Sequence, residues 1–386
     1  MGYFTSRQIA AAIIGILAAS GCASQTAPSS GVPNSVAPQI GGVAAGSMRP
    51  VDSTSILEKL TKQITIGSTV DPENGDRGPR SVAISTGSLQ GKIAKGQLLV
   101  CNYEDSSGTP GNGTTMEVLS PKSNSSPSRF IQTSLLKGCD GDAIQPRHGS
   151  IWGTGFSSGD IVELAPKGKI VKTYTSGKVF SAPFSDTVAD HTQDFGPLNV
   201  YVGSTLAGGI VNISAGFYGN GIATQVAKGF AVGKGSDADL GPSGLAYDLN
   251  ADVLYIVDGV DNTVVAFTNA SKLVAKDEIV VEAGGTTFKC KFPKTTCGKL
   301  IYSGSPLDAP IAATLLPNGN LIVANSQGTA NTLVELTPAG TVLATKVVDS
   351  SATQGVFGLA AKGTNDNNTV LYFTDVNSNT VEELEQ

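Results

Sequence analysis

Two runs decide the fold: Leu254-Tyr255-Ile256-Val257-Asp258 and, after a short gap, Asn262-Thr263-Val264-Val265-Ala266-Phe267. Both are rich in β-branched and aromatic residues and are bounded by Asp, Gly and Asn, so they read as two strands paired around a turn. The pattern returns as Leu321-Ile322-Val323-Ala324-Asn325 with Asn331-Thr332-Leu333-Val334-Glu335-Leu336. It returns again as Leu371-Tyr372-Phe373-Thr374-Asp375 with Asn379-Thr380-Val381-Glu382-Glu383-Leu384. Fainter copies precede these. Leu98 to Asn102 is followed by Thr114 to Leu119, Ile151 to Thr154 by Gly159 to Leu164, and Val200 to Gly203 by Gly208 to Ile213.

The second members of the six pairs begin at residues 114, 159, 208, 262, 331 and 379, spaced 45, 49, 54, 69 and 48 residues apart. Repeats of this length suit one four-stranded propeller blade each. Small residues lead several units, as in Gly78-Pro79, Gly241-Pro242, Ala309-Pro310 and Gly358-Leu359-Ala360-Ala361, and suit an inner strand crowded around an axis. Alternating segments trail others, as in Lys169 to Thr173 and Thr341 to Thr345, and suit a half-exposed outer strand. The sixth unit stops after its third strand, which leaves an edge to be paired. Gln63-Ile64-Thr65-Ile66 is the candidate to close it. The expected fold is therefore all-β: a six-bladed propeller of four-stranded antiparallel blades over residues 51–386, closed by an N-terminal strand. A seventh blade in the 69-residue step, or an open β-sandwich, is the alternative.

These units resemble those of the NHL-repeat and streptogramin-lyase-like propellers. Gly244-Leu245-Ala246-Tyr247-Asp248 through Phe267, and Ile151-Trp152 through Ile170, carry the likeness best. It covers roughly residues 78 to 386 and implies architecture. It implies little about function, since one propeller scaffold hosts enzymes, scaffolds and binders. The calcium-dependent lactonase-type propellers set a precedent for a metal at the channel mouth, but their ligand set does not map residue by residue. The His–Glu constellation of streptogramin lyases has no counterpart at either histidine.

Ahead of the repeats, Arg7 precedes an apolar run from Ile9 to Ala19 and then Ser20-Gly21-Cys22. This is the pattern of a secretory signal, too short for a mature membrane span. Its ending resembles a bacterial lipobox, which implies residues 1–22 as a lipoprotein signal with Cys22 acylated and the membrane as a partner through the lipid. Ala23 in place of Asp then favours the outer membrane of the cell envelope, facing periplasm or exterior. Residues 23–50 hold one charge, Arg49, and are dense in Ser, Pro, Gly and Ala, a flexible tether.

Composition narrows the partners. The chain of 386 residues has 26 Lys and Arg against 32 Asp and Glu, a net charge of −6, with only 15% charged residues. Such a chain offers no basic footprint for nucleic acid. With two histidines and one tryptophan it has few resources for histidine-based catalysis. Apart from Cys22, four cysteines remain, and an even number in an exported chain reads as disulfides with three possible pairings. Closeness in sequence favours Cys101–Cys139 and Cys290–Cys297, the second stapling a basic loop that carries Lys289, Lys291, Lys294 and Lys299.

For chemistry, Asp76, Asp142, Asp239 and Asp308 are read as lying in loops that enter successive inner strands, where they would ring one mouth of the channel and hold calcium. Asp186, Asp190, His191 and Asp194 crowd a second segment, which reads as a polar loop, and His148 reads as a surface or packing residue. Asn102, Asp258, Asn325 and Asp375 end second strands and are expected to cap the turn that follows. No nucleophile triad, phosphate-binding glycine loop or haem motif is present. The sequence thus points to an envelope-anchored binding or scaffold module that recognises a protein, glycan or small ligand through loops on one propeller face. A metal-assisted hydrolase or lyase at the channel mouth is the competing class.

Overall fold

The computed structural model describes residues 52–386 except 87–90, 176, 178 and 216–218. Cys22, the signal and the tether of residues 23–50 lie outside the described residues. After β1 (Lys62–Ser68) the chain builds blade 1 from β2 (Arg77–Ile84), β3 (Leu98–Glu104), β4 (Pro110–Leu119) and β5 (Ser128–Gln132). Blade 2 is β6 (Cys139–Ile144), β7 (Ile151–Gly155), β8 (Asp160–Leu164) and β9 (Ile170–Thr175). Blade 3 begins with β10 (Pro183–Asp190), β11 (Leu198–Ser204), β12 (Gly209–Ala215) and β13 (Ile222–Lys228). Blade 4 opens with β14 (Pro242–Asp248), β15 (Val253–Asp258) and β16 (Thr263–Thr268). An insertion bearing β17 (Ile279–Val281) and β18 (Phe288–Cys290) follows, and β19 (Gly298–Ser303) completes the blade. Blade 5 is β20 (Pro310–Leu315), β21 (Leu321–Asn325), β22 (Asn331–Leu336) and β23 (Val342–Asp349). Blade 6 is β24 (Val356–Lys362), β25 (Val370–Asp375) and β26 (Thr380–Glu385).

The sheet of blade 6 runs β1-β26-β25-β24, so β1 supplies its outer strand. Gln63 pairs with Leu384, Ile64 with Glu383 and Thr65 with Glu382 in antiparallel register. The chain just before β1 is also tied down. Ile56, Leu57 and Leu60 are buried, and the Glu335 carboxylate accepts from the Leu57 amide at 2.8 Å and the Ser55 hydroxyl at 2.7 Å. The long step between units four and five holds no seventh blade. Its β17–β18 hairpin joins blade 3, where Ala227 and Lys228 of β13 pair in parallel with Ile279 and Val280.

Six apolar clusters fill the six interfaces between blades, and alternation along each strand explains how. In β15, Leu254 and Ile256 pack toward blade 3 while Val253, Tyr255 and Val257 pack toward blade 5. A strand buried on both faces needs a continuous apolar run, which is why the second strands are the most legible part of the sequence. Each such side chain contributes about 1.5–3 kcal/mol by leaving water. Near the axis the blades crowd. A Cβ on Gly358 would stand 2.7 Å from the Ser81 backbone, and one on Gly244 2.8 Å from the Ala312 backbone, so these positions admit no side chain. Cys101 of β3 and Cys139 of β6 form a disulfide with Cα atoms 5.1 Å apart, joining blades 1 and 2. Cys290 and Cys297 form the second, with Cα atoms 5.3 Å apart, inside the insertion.

Candidate functional site

The loops entering the inner strands do not gather their carboxylates into one ring. Asp76 accepts from the Thr114 amide at 2.7 Å and the Thr114 hydroxyl at 2.9 Å, which ties it to β4 of its own blade. A carboxylate oxygen of Asp308 lies beside Gly328, and its amide donates to Asn325 Oδ1 at 3.1 Å. Asp142 is not in a loop at all; it sits within β6 and faces the axis. Asp239 alone reaches the mouth, and there it pairs with Arg80 of β2 at 2.9 Å. Among the described residues no three His, Cys, Asp or Glu side chains are grouped to hold a metal ion. Asp76, Asp142, Asp239 and Asp308 therefore do not fit the calcium site that their spacing suggests.

The protein's own cation stands at that mouth instead. The Arg80 guanidinium lies 4.1 Å from the ring centroid of Tyr103 and 3.7 Å from that of Phe357, so rings from blades 1 and 6 flank it. Both Arg80 and Asp239 are largely buried. Asp140 adds a second acidic neighbour; burial pushes its carboxyl up to about 8, with Arg80 drawing it down and Asp239 adding to the rise. Cation–ring stacking and a desolvated ion pair fix the side chain in place. A lone Arg in the small-residue segment Gly78-Pro79-Arg80-Ser81 was the available sequence signal.

The crowded acidic segment separates just as clearly. Asp186 lies in β10 and faces the axis. Asp190 accepts from the Thr192 amide at 3.0 Å and from Gln145 at 3.1 Å. His191 Nε2 bonds the Tyr247 hydroxyl, which donates to Asp252 at 2.7 Å, while Asp194 is exposed. The expected turn caps hold for two of four residues. Asp258 accepts from the Val260 amide at 3.0 Å and Asp375 from the Asn377 amide at 2.9 Å. Asn102 and Asn325, which can also donate, instead reach the carbonyls of Thr69 and Pro306, each at 2.8 Å.

The opposite face carries a cleft of about 690 Å³ between blades 2 and 3. It lies between the turn joining β6 to β7 and the turn joining β10 to β11. Arg147 ties the two turns by donating to the Thr192 carbonyl at 2.7 Å, and Gln145 is braced by Ser150 at 2.7 Å. Phe195, Pro197, Leu198 and Ala215 give it apolar wall, while His148 and Glu163 bring polar groups. Glu163 is buried, accepts from the Gly219 amide at 3.2 Å, and has its pKa raised by burial against the pull of Lys172. Phe195 is fully exposed and held at φ 58°, a left-handed conformation unusual for a bulky residue and often found at binding sites. The volume is that of a small-molecule site. Sequence reading placed His148 but missed Arg147, Glu163 and Phe195; the aromatic in the polar turn Asp194-Phe195-Gly196 was the only cue.

No protein-family model and no curated protein matches the chain. Among solved structures, a gluconolactonase from Xanthomonas campestris is similar with a TM-score of 0.54 and 11% identity, over 84% of this chain and 89% of that one. A putative gluconolactonase gives 0.50 and 13%, over 84% and 91%. The virginiamycin B lyase of Staphylococcus aureus gives 0.49 and 12%, over 84% and 98%. At these identities the likeness is one of fold.

Proposed function

We propose that this protein is an envelope-anchored recognition module, lipidated at Cys22, whose propeller binds a small acidic glycan in the cleft between blades 2 and 3. The cleft itself carries the reading. Phe195 offers a ring face for stacking on a sugar, and Arg147 offers a planar fork for a carboxylate. Lipid on Cys22 and the tether of residues 23–50 would hold the propeller at a membrane surface. The alternative, metal-assisted hydrolysis or elimination at the mouth of the channel, finds Asp239 engaged by Arg80 and Asp76 by Thr114.

Calorimetric titration with uronic-acid-containing disaccharides tests the ligand. The expected result is saturable binding, weakened about tenfold by Phe195→Ala or Arg147→Ala, since tenfold corresponds to about 1.4 kcal/mol. Absence of saturable binding, or binding indifferent to both substitutions, would overturn it. Labelled palmitate should enter the wild-type chain and not Cys22→Ser.

A further inference from the structure

The axis of the propeller is walled by the edges of β2, β6, β10, β14, β20 and β24, each contributing short side chains such as Ala143, Ala246 and Ala360. A cavity of about 300 Å³ lies toward the C-terminal ends of these strands, and one of about 60 Å³ toward their N-terminal ends. Asp142 and Asp186 line both, which places the two acids at the boundary between the cavities.

Each is 7% exposed, and none of their four carboxyl oxygens has a hydrogen-bond partner. Ser81 and the Ala83 backbone lean toward Asp142 without completing a bond. Asp186 reaches across to blade 2, where its Oδ1 would stand 3.0 Å from a Cβ on Gly141, so only a glycine leaves it room. Buried polar groups without partners are rare in native proteins, and a bound water, ion or ligand is one way they are completed. Arg80, which lines the smaller cavity, is directed to Asp239 and stacked between two rings.

We infer that the larger axial cavity binds a small organic ammonium ion, its head held between Asp142 and Asp186 and its body lying along the axis toward Tyr247. An ammonium group carries three donors and no acceptor, which matches the unpartnered carboxyl oxygens of the two acids. Calcium asks for six to eight oxygens. A cavity at the small end of the ligand-site range limits the guest to a short chain or single ring. The site is separate from the cleft between blades 2 and 3 and stands whether or not that cleft binds a glycan. Burial holds Asp142 up at about 7, and burial with the Asp142 charge raises Asp186 further. Arg80 from β2 and Asp140 from β6 line the smaller cavity with the pair, and Asp239 ahead of β14 is engaged by Arg80.

Titration of the purified full chain with n-butylammonium at mildly alkaline pH tests the inference. Saturable one-to-one binding is expected, at least tenfold weaker in Asp142→Asn/Asp186→Asn and unchanged in Asp277→Asn, which lies in a surface ion pair with Lys228. On the wild-type protein alone, n-butanol, uncharged and of the same length, should not bind. Equal binding of butanol and butylammonium, retention of affinity in the double variant, or calcium displacing the amine from the site would each overturn it.

Discussion

Asn379 Oδ1 accepts a hydrogen bond at 2.9 Å from the backbone N–H of Gly78, a residue 301 positions away. Asn379 opens the third strand of blade 6, and Gly78 lies in the inner strand of blade 1. The same relation recurs from Asn262 to the Ala309 amide at 2.7 Å and from Asn331 to the Gly355 amide at 2.9 Å. The Asn at the start of the third strand is thus a clamp between neighbouring blades. Asn suits it twice over, because Asn262 and Asn379 also sit at positive φ, which Asn tolerates better than most residues.

Removing the clamp should cost more than removing the backbone tolerance. Asn379→Ala is expected to destabilise by about 1–3 kcal/mol through an unpaired Gly78 amide. Asn379→Gly keeps the left-handed turn but lacks the acceptor, and Asn379→Asp keeps the acceptor. Urea midpoints should rank wild type and Asp variant first, then Gly, then Ala.

Ring closure depends on β1 and the apolar turn before it. Ile66→Ala, at a fully packed position of β1, should lower stability by about 2–5 kcal/mol. A chain starting after residue 68 leaves β26 unpaired and should aggregate, as light scattering will reveal.

Arg80→Ala leaves Asp239 buried without its partner, and a loss of about 3–5 kcal/mol follows. Arg80→Lys should recover only part of it, because a lysine ammonium cannot stack as a plane between Tyr103 and Phe357. Adding Asp239→Ala to Arg80→Ala should cost little further, and a thermodynamic cycle by chemical denaturation measures this coupling.

Asp142 sets a pH dependence of definite sign. An unfolded chain releases this proton near 3.8, the folded protein only near 7. Between those values the folded state holds more protons, so its stability is fullest below the lower value and declines as pH rises to the upper one. Asp142→Asn, which resembles the protonated acid, should stabilise at alkaline pH and change little in acid. Asp71 acts in the opposite sense. Its salt bridge with Arg129, joined by hydrogen bonds from the Glu73 and Asn74 amides, lowers its pKa despite burial, so its contribution is lost as pH falls.

The two disulfides should differ in weight. Cys101–Cys139 closes a span of 38 residues and joins two blades, so its loss should cost about 4 kcal/mol on loop entropy. Cys290–Cys297 spans 7 residues within the insertion, and Cys290→Ser/Cys297→Ser should leave the main thermal transition nearly unmoved. Calorimetry of the two double variants separates them.

The blades were legible because their second and third strands are buried on both sides, which writes an unbroken apolar run such as Leu254 to Val257. The closing strand was legible because the sixth unit lacked one. The extension of blade 3 was hidden: β17 and β18 have three residues each, too few to show a period. Of the mouth, sequence located Asp239 but not its partner, since Arg80 lies 159 residues away and one of its two stacking rings, Phe357, comes from another blade. The acids at Asp142 and Asp186 read as loop residues because alternation in a short inner strand cannot tell the axis from the solvent.

The splice between β1 and β26 also fixes an order of events. Thr65 leaves the ribosome 317 residues before its partner Glu382. This strand must stay unpaired until β26 is available, since its partner lies at the far end of the chain. The final click of the annulus is therefore a long-range capture, and any factor that shields residues 62–68 from a wrong neighbour governs the yield of native molecules.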